Sequence, residues 1–414
     1  MGGSGVQRSL KFAKYLRDFG WNPIIVCPEP GTYQFFDDSL SDELSKLDLE
    51  VHRVNANTPF HFFGKKKKST GLITGFWANI LRRLSKKIYF PDNKKGWISP
   101  ACDEGLKIIR NNSIELIFSS GPPFSNHIIA ERLSDVTGIP FVVDYRDLFT
   151  GNHFDESDST SRVAKKSKIE SQWLKKSAGA ITLDETAQQK IKKIAGSNFL
   201  LSKVISHGFD PADFKNLSNS SLQYKSGKLN WLYSGLFYEG NQPDSFLKAM
   251  SILMKEYPEI KNDIHLHFQG GLDSRIQRLI NELNLEKVVT NYGYLSHEES
   301  VANILRADIL WMISNFSKNL KQIKSGKLFE YIGTNKPILG LVYQGEASKL
   351  LGNYRAGFIA SPNNEVEISK EIYVIYQLWK SSKMPKPSSD FVDKFDRKKL
   401  TGDLASFFNS VIVK

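Results

Sequence analysis

Short apolar runs alternate with amphipathic stretches along the chain, and this alternation limits its fold more than any other feature. Pro23 to Cys27 (P-I-I-V-C), Ile114 to Phe118, Phe141 to Tyr145 and Ala178 to Leu183 read as buried strands. Helical stretches stand around them at Gln7 to Phe19, Ser125 to Val136 and Ile169 to Lys176. Gly20 stops the first helix, and Gly138 with Pro140 ends the second. Strands that alternate with helices build βαβ units and parallel sheets. No short-period repeat is present, which disfavours solenoids and propellers.

A second series begins after residues 215–229, a stretch rich in Ser, Asn and Lys that reads as a linker. Strands are expected at Asn230–Ser234, His265–Gln269, Val288–Asn291, Asp308–Ile313 and Pro337–Val342. Helices are expected at Pro243–Lys255, Ser274–Leu283, Glu298–Arg306 and Gly326–Gly333. The fold class is therefore α/β, with two doubly wound, Rossmann-like domains facing a central cleft. The expected boundaries are 1–206, a linker over 207–229, a second domain over 230–384 and a tail helix over 385–414. The length of 414 residues fits two or three domains. In such sheets ligands sit beyond the carboxyl ends of the strands, so the cleft is the default site.

The chain carries a net charge of +12 and a pI near 9.3, which favours anionic partners without choosing among them. Two cysteines, Cys27 and Cys102, cannot form a disulfide framework, and a reducing compartment is the simple reading. No run reaches the roughly 18 apolar residues of a membrane span, and no secretory h-region opens the chain. Lys65-Lys66-Lys67-Lys68 starts a basic segment that runs over 62–95, interleaved with Phe62, Phe63, Phe76 and Trp77. Two readings stand for it: docking on an anionic membrane surface, or a helix packed on its own domain with a solvated lysine face.

Four further motifs bear on chemistry. Gly2-Gly3-Ser4-Gly5 precedes a helix, where backbone N–H groups cradle an anion; the bland reading is a flexible terminus. Ser119-Ser120-Gly121-Pro122-Pro123-Phe124-Ser125 joins strand to helix with His127 in the first turn, facing a sugar hydroxyl or a phosphate; the bland reading is a helix-capping Ser125 and an incidental histidine. Asp144-Tyr145-Arg146-Asp147 ends a strand with three charges, which marks a cleft or a structural Asp–Arg pair. Ser325-Gly326-Lys327-Leu328-Phe329-Glu330-Tyr331 follows Lys318, Lys321 and Lys324. A carboxylate there can accept both ribose hydroxyls while lysines neutralise a diphosphate, or the run is a solvated charge cluster. G-x-S-x-G, H-E-x-x-H and the P-loop pattern are absent. His265 and His267 alternate on a strand and are expected as a packed or hydrogen-bonded pair, not as metal ligands.

Taken together, these motifs resemble retaining glycosyltransferases of the GT-B fold, family 4, nearest to bacterial members that assemble cell-surface polysaccharides. The resemblance is carried by G-G-S-G-V-Q-R (2–8), K-F-A-K-Y-L-R-D-F-G-W (11–21), F-P-D-N-K-K-G-W (90–97), S-S-G-P-P-F-S-N-H (119–127), G-I-P-F-V-V-D-Y-R-D (138–147), H-G-F-D (207–210) and S-G-K-L-F-E-Y-I (325–332). It implies a sugar moved from a UDP- or GDP-sugar donor to a saccharide or lipid-linked acceptor, with retention and without a metal. It implies a peripheral, cytoplasmic-face enzyme; no nucleic-acid partner is expected, because the charge is concentrated in one segment and no RNA or DNA motif accompanies it. The second domain would hold the donor through Gly235, Gly270, Gly271, Tyr294, Lys324, Lys327 and Glu330, with Glu330 on the ribose, Lys327 by the phosphates and Tyr294 near the base. The first would hold the acceptor, with Gly3, Ser4 and Gly5 facing diphosphate or acceptor. His127, Arg146 and Asp147 would sit at the reacting centre. No protein nucleophile is expected; the leaving phosphate takes the acceptor proton. In such relatives a strand and P-P-M precede the glycine loop, so Met1 reads as an internal methionine and the first strand as missing.

Three departures stand out. No Arg…Lys pair follows Ser234-Gly235, Gln322 stands where a second glutamate is usual, and Arg146 replaces a histidine. Two rival functions follow: a non-catalytic scaffold of the same fold, and a sugar-nucleotide epimerase.

Overall fold

The structure is a computed structural model that describes residues 4–29, 38–55, 90–152, 158–196, 201–215, 220–237, 241–314 and 326–413. The chain forms two compact units, Met1–Ser206 with Thr401–Lys414, and His207–Leu400. Most of the basic segment 62–95, together with Gly3 and Lys324, lies outside the described residues.

The first unit runs α1 (Ser4–Leu16), β1 (Ile24–Pro28), α2 (Asp38–Lys46), β2 (Glu50–Val54), α3 (Ile98–Asn111), β3 (Ile117–Gly121), α4 (Ser125–Thr137), β4 (Phe141–Tyr145), α5 (Thr160–Lys176), β5 (Gly179–Thr182), α6 (Glu185–Ala195) and β6 (Ser202–Val204). Strands β3 to β6 form one parallel sheet in chain order, and β1 pairs with β2 in a separate parallel ladder. β4 is buried at every residue, as expected for a central strand covered on both faces. Phe141, Val143, Tyr145, Phe149, Trp173 and Ile191 fill the core on one side. On the other, Ile98 and Ala101 of α3 meet Ile129 and Leu133 of α4, with Val26, Val54 and Ile117 against them.

α1 buries Leu10, Phe12, Ala13 and Leu16. It begins three residues before the expected Gln7, and its end tightens into a 3-10 turn, Arg17–Phe19. Gly20 stops it at φ 82, where its N–H donates to the Arg17 carbonyl.

The second unit runs β7 (Leu229–Ser234), α7 (Asp244–Glu256), α8 (Ile260–Asp263), β8 (Ile264–Gln269), α9 (Ser274–Glu282), β9 (Val289–Asn291), α10 (His297–Arg306), β10 (Ile309–Ser314), α11 (Gly326–Gly333), β11 (Ile338–Val342), α12 (Glu346–Asn353), β12 (Gly357–Ala360), α13 (Glu365–Lys380) and α14 (Ser389–Asp393). Its parallel sheet has the order β12-β11-β10-β7-β8-β9. The chain steps outward from β7 through β9, then returns to the other side of β7 at β10. That reversal, between β7 and β10, is the point at which open α/β sheets take ligands. Trp231, Phe246 and Trp311 anchor the core beneath it, the last two stacked at 3.8 Å.

Two expectations need correction. The segment read as a linker closes onto the second unit, because Leu222 is buried and its N–H donates to Asn303 Oδ1 at 2.8 Å. The tail read as one helix over 385–414 is two, α14 and α15 (Arg397–Ile412), and Thr401–Lys414 belongs to the first unit. Phe407 and Phe408 of α15 explain this: they pack on Gly179 and on the rings of Trp21 and Phe118. No described helix is long and apolar enough to cross a membrane.

Candidate functional site

Three glycine loops meet at the carboxyl edge of the second sheet. Gly235 follows β7 at φ 127, Gly270 and Gly271 follow β8 at φ 116 and 93, and Gly293 follows β9 at φ 68. All lie in the region that favours glycine. Gly235 N–H donates to Gln269 O at 2.8 Å, and Gly270 N–H to Gly293 O at 2.7 Å. A Cβ at Gly270 would overlap the Gly235 carbonyl. Gly270→Ala should therefore cost about 1–3 kcal/mol in backbone strain alone and displace the β7 loop. A melting curve unchanged by that substitution would contradict the account of this edge.

Polar side chains fix the helices over this edge. Ser234 N–H donates to Tyr331 Oη on α11 at 2.9 Å. Gln269 Nε2 donates to Ser300 Oγ at 2.7 Å, and Asn303 Nδ2 to Gln269 Oε1 at 3.0 Å, both on α10.

Lys327, in the first turn of α11, reaches over the Tyr233 ring, with Nζ 4.2 Å from its centroid. A Cβ at Gly235 would overlap that Nζ, so glycine is what lets the amine lie on the loop. Among the described residues the ammonium has no hydrogen bond or ion pair. Burial pushes its pKa down to about 8, with Glu330 opposing the shift. Glu330 lies one turn further along α11 and is likewise unpaired among the described residues. Burial pushes its carboxyl up; His297 draws it down, Asp213 adds to the rise, and Lys327 and Arg397 oppose it. One helix turn thus presents a cation and a carboxylate that do not satisfy each other. Lys327 lies against the backbone of the Gly235 loop and Glu330 lies near His297, Asp213 and Arg397, both close to the positive end of α11. Tyr294 lies on the β9 loop with its side chain 71% exposed. The sequence reading missed Ser234, Ser300, Asn303, His297 and Asp213, because polar residues scattered over three segments carry no spacing signal.

The first unit brings its expected residues together differently. Arg8 on α1 is fully buried and holds Asp144 through Nε at 3.1 Å and Nη2 at 2.9 Å. It also donates to the carbonyls of Ile205 and Ser206. The structural Asp–Arg pair exists, but Arg8 and not Arg146 makes it.

Asp92, from the F-P-D-N motif, accepts from Ser125 N–H at 2.9 Å and from Ser125 Oγ at 2.7 Å. The start of α4 is therefore capped by this carboxylate, not by Ser125 acting alone. His127, expected to face a sugar hydroxyl or a phosphate, is enclosed in the core of the first unit. Its ring is fully buried against Phe124, Tyr145 and Trp173, with Nδ1 bonded to Ser119 Oγ at 2.8 Å. Burial holds its pKa down to about 3, so it is neutral. Ser4 and Gly5 are not loop residues either. They form the first turn of α1, whose open N–H groups accommodate both residue types. Arg146 and Asp147 stand just past β4 and are partly buried.

His265 and His267 form the expected packed pair, with ring centroids 4.7 Å apart, and each is bonded to other side chains. His265 Nε2 meets Thr290 Oγ1 at 2.8 Å, and His267 meets Tyr292 Oη and Asn230 Oδ1 at 2.9 and 3.0 Å.

No protein-family model matches the chain, and no curated protein resembles it in sequence. Solved structures do resemble it. A glycosyltransferase from Rickettsia africae superposes with a TM-score of 0.64 at 14% identity, over 99% of this chain and 95% of that one. Sucrose-phosphate synthase from Thermosynechococcus elongatus gives 0.63 at 14% identity, over 100% and 94%. HepE from Anabaena, in complex with UDP and glucose, gives 0.62 at 14% identity, over 99% and 96%. The chain has the fold of the GT-B glycosyltransferases.

Proposed function

We propose that the protein is a glycosyltransferase that takes its sugar from a nucleoside diphosphate sugar held at the carboxyl edge of the second sheet. The observation that carries this reading is Lys327, a partly buried ammonium with no hydrogen bond or ion pair among the described residues, laid on the Gly235 loop at the sheet's reversal point. A diphosphate is the ligand chemistry that such an amine lacks. Glu330 would accept from the ribose hydroxyls, and Tyr294 would cover the base. HepE holds UDP and glucose in a protein of the same fold, which supports UDP as the first probe.

Breaking the glycosyl–phosphate bond requires the leaving diphosphate to be stabilised as its charge grows. Lys327 and the dipole of α11 supply fixed positive potential there. On the family resemblance, transfer proceeds with retention, without a metal, and onto a lipid-linked saccharide for a cell-surface polysaccharide. The acceptor would be met at the cytoplasmic face of a membrane, with the segment 62–95 on its anionic surface.

The test is transfer of label from UDP- and GDP-sugars into lipid-linked saccharides carried in anionic liposomes. Label should enter the lipid fraction, and the protein should float with the vesicles. Conversion of the free nucleotide sugar without an acceptor would instead indicate an epimerase. Donor binding without transfer to any acceptor would favour the scaffold.

A further inference from the structure

Two guanidinium groups lie near one carboxylate at the carboxyl edge of the first sheet, and only one of them is used. Arg8 takes both oxygens of Asp144, and the Ser120 hydroxyl donates to Oδ2 at 2.7 Å. Little acceptor capacity is left for a second cation. Arg146, the first residue after β4, spends its backbone N–H on the Gly121 carbonyl at 2.9 Å. Its Nε is shut off from solvent and has no hydrogen-bond partner, and no other bond or ion pair of the guanidinium occurs among the described residues. Burial outweighs the attraction of Asp144 and Asp147 there and lowers its affinity for the proton. In the first turn of α4, Asn126 donates to Ser120 O at 2.7 Å while its buried Oδ1 stays unpartnered.

A partly buried guanidinium whose enclosed Nε has no acceptor is destabilising unless a ligand completes it, even with Asp144 and Asp147 nearby. Its place, past the carboxyl end of a parallel strand, is where open α/β sheets take ligands. Its planar fork of donors matches an oxyanion bidentately. Asn126 Oδ1 offers an acceptor suited to a hydroxyl of the same molecule.

We propose that Arg146 forms an oxyanion subsite, so that the molecule received by the first unit is an acidic saccharide, bearing either a sugar carboxylate or a phosphate. The assignment of the first unit to the acceptor rests on the glycosyltransferase reading; the anion subsite itself does not.

The experiment uses the full chain carrying Lys327→Met, which silences the anion site of the second unit. Glucuronate, orthophosphate and glucose are titrated by calorimetry into this protein and into versions that add Arg146→Met or Arg146→Lys. Glucuronate or orthophosphate should bind saturably, and Arg146→Met should weaken that binding by about 10- to 150-fold, the range for a charged hydrogen-bonding group. Arg146→Lys should retain part of it. Binding of glucuronate alone assigns a sugar carboxylate, and binding of orthophosphate alone assigns a phosphate. Glucose should bind more weakly than either anion.

Arg146→Met should also raise the melting temperature of the ligand-free protein, because burial of the guanidinium outweighs the attraction of Asp144 and Asp147 and its Nε has no acceptor. A lowered melting temperature would mean that the guanidinium serves the fold. Anion binding that is indifferent to Arg146→Met would overturn the subsite. So would an Arg146→Met variant in the otherwise unaltered chain that loses UDP affinity while its anion affinity is kept. Arg146-dependent anion binding in a protein that never binds a nucleoside diphosphate would leave the subsite standing and remove the enzyme reading.

Discussion

Asp144→Ala is expected to destabilise the first unit by about 3–5 kcal/mol, the usual cost of removing one partner from a buried ion pair. The carboxylate and Arg8 are both fully buried, and the bond joins α1 to β4. Arg8 ties the same point to the chain after β6 through Ile205 O and Ser206 O. Without Asp144, Arg8 keeps two carbonyls and no counter-charge. Burial pushes the Asp144 carboxyl up, but the Arg8 guanidinium and the Ser120 hydroxyl outweigh it and hold the pKa below the usual carboxylate range. Because the folded value is the lower one, this contribution is present above the unfolded pKa near 4 and is lost as pH falls through the folded value. Thermal unfolding of Asp144→Ala should show the first unit melting earlier by roughly 2–4 °C per kcal/mol, with less acid sensitivity than the parent. A loss under 1 kcal/mol would mean that the pair is not a fastening of the fold.

The second large effect concerns Lys327. Its pKa is held down to about 8 in the ligand-free protein. The unfolded chain keeps that proton to about pH 10.4. Between these values the unfolded state binds more protons, so the stability of the second unit should rise with pH across this window, and the cost of the buried charge is full below it. A bound diphosphate reverses the sign, since it holds the proton on the amine. Nucleoside diphosphate affinity should therefore be flat up to about pH 7.5 and fall from pH 8 to 9, approaching tenfold per pH unit. Lys327→Met should remove this pH dependence and weaken binding by about 10- to 150-fold. Calorimetric titrations at pH 7, 8 and 9 measure both effects, and an affinity constant over that range would contradict the role given to the amine.

Legibility in the sequence followed the strength of the local signal. The buried run Phe141–Tyr145 and the helix Gly326–Gly333 were read with their bounds intact, because continuous burial and glycine boundaries mark them. Elements without such marks went unread, among them α3, α6 and β6, and α12 to α13 with β12. Their apolar residues are interrupted by charge, and tertiary packing decides them. Leu222 was hidden in a polar stretch for the same reason, although it is a core residue.

At the site, motif reading reached Glu330, Lys327 and the glycines, which lie close together in sequence within each loop. It misassigned the charges of the first unit because the pairing is remote: Arg8 meets Asp144 across 136 positions, and Asp92 reaches Ser125 across 33. Spacing cannot carry such information. His127 is expected to face a ligand because its motif ends a strand; the ring is walled in by Phe124, Tyr145 and Trp173, which only the folded core reveals.

The most direct measurement is thermal stability against UDP, GDP, ADP and CDP, for the unaltered protein and for Glu330→Ala. One diphosphate at 100 times its dissociation constant should stabilise the second unit by about 2.7 kcal/mol, and Glu330→Ala should lose that effect while remaining folded. If no diphosphate shifts the melting of the well-folded protein, or if Glu330→Ala responds as the parent does, the donor site described at the carboxyl edge of the second sheet is not one.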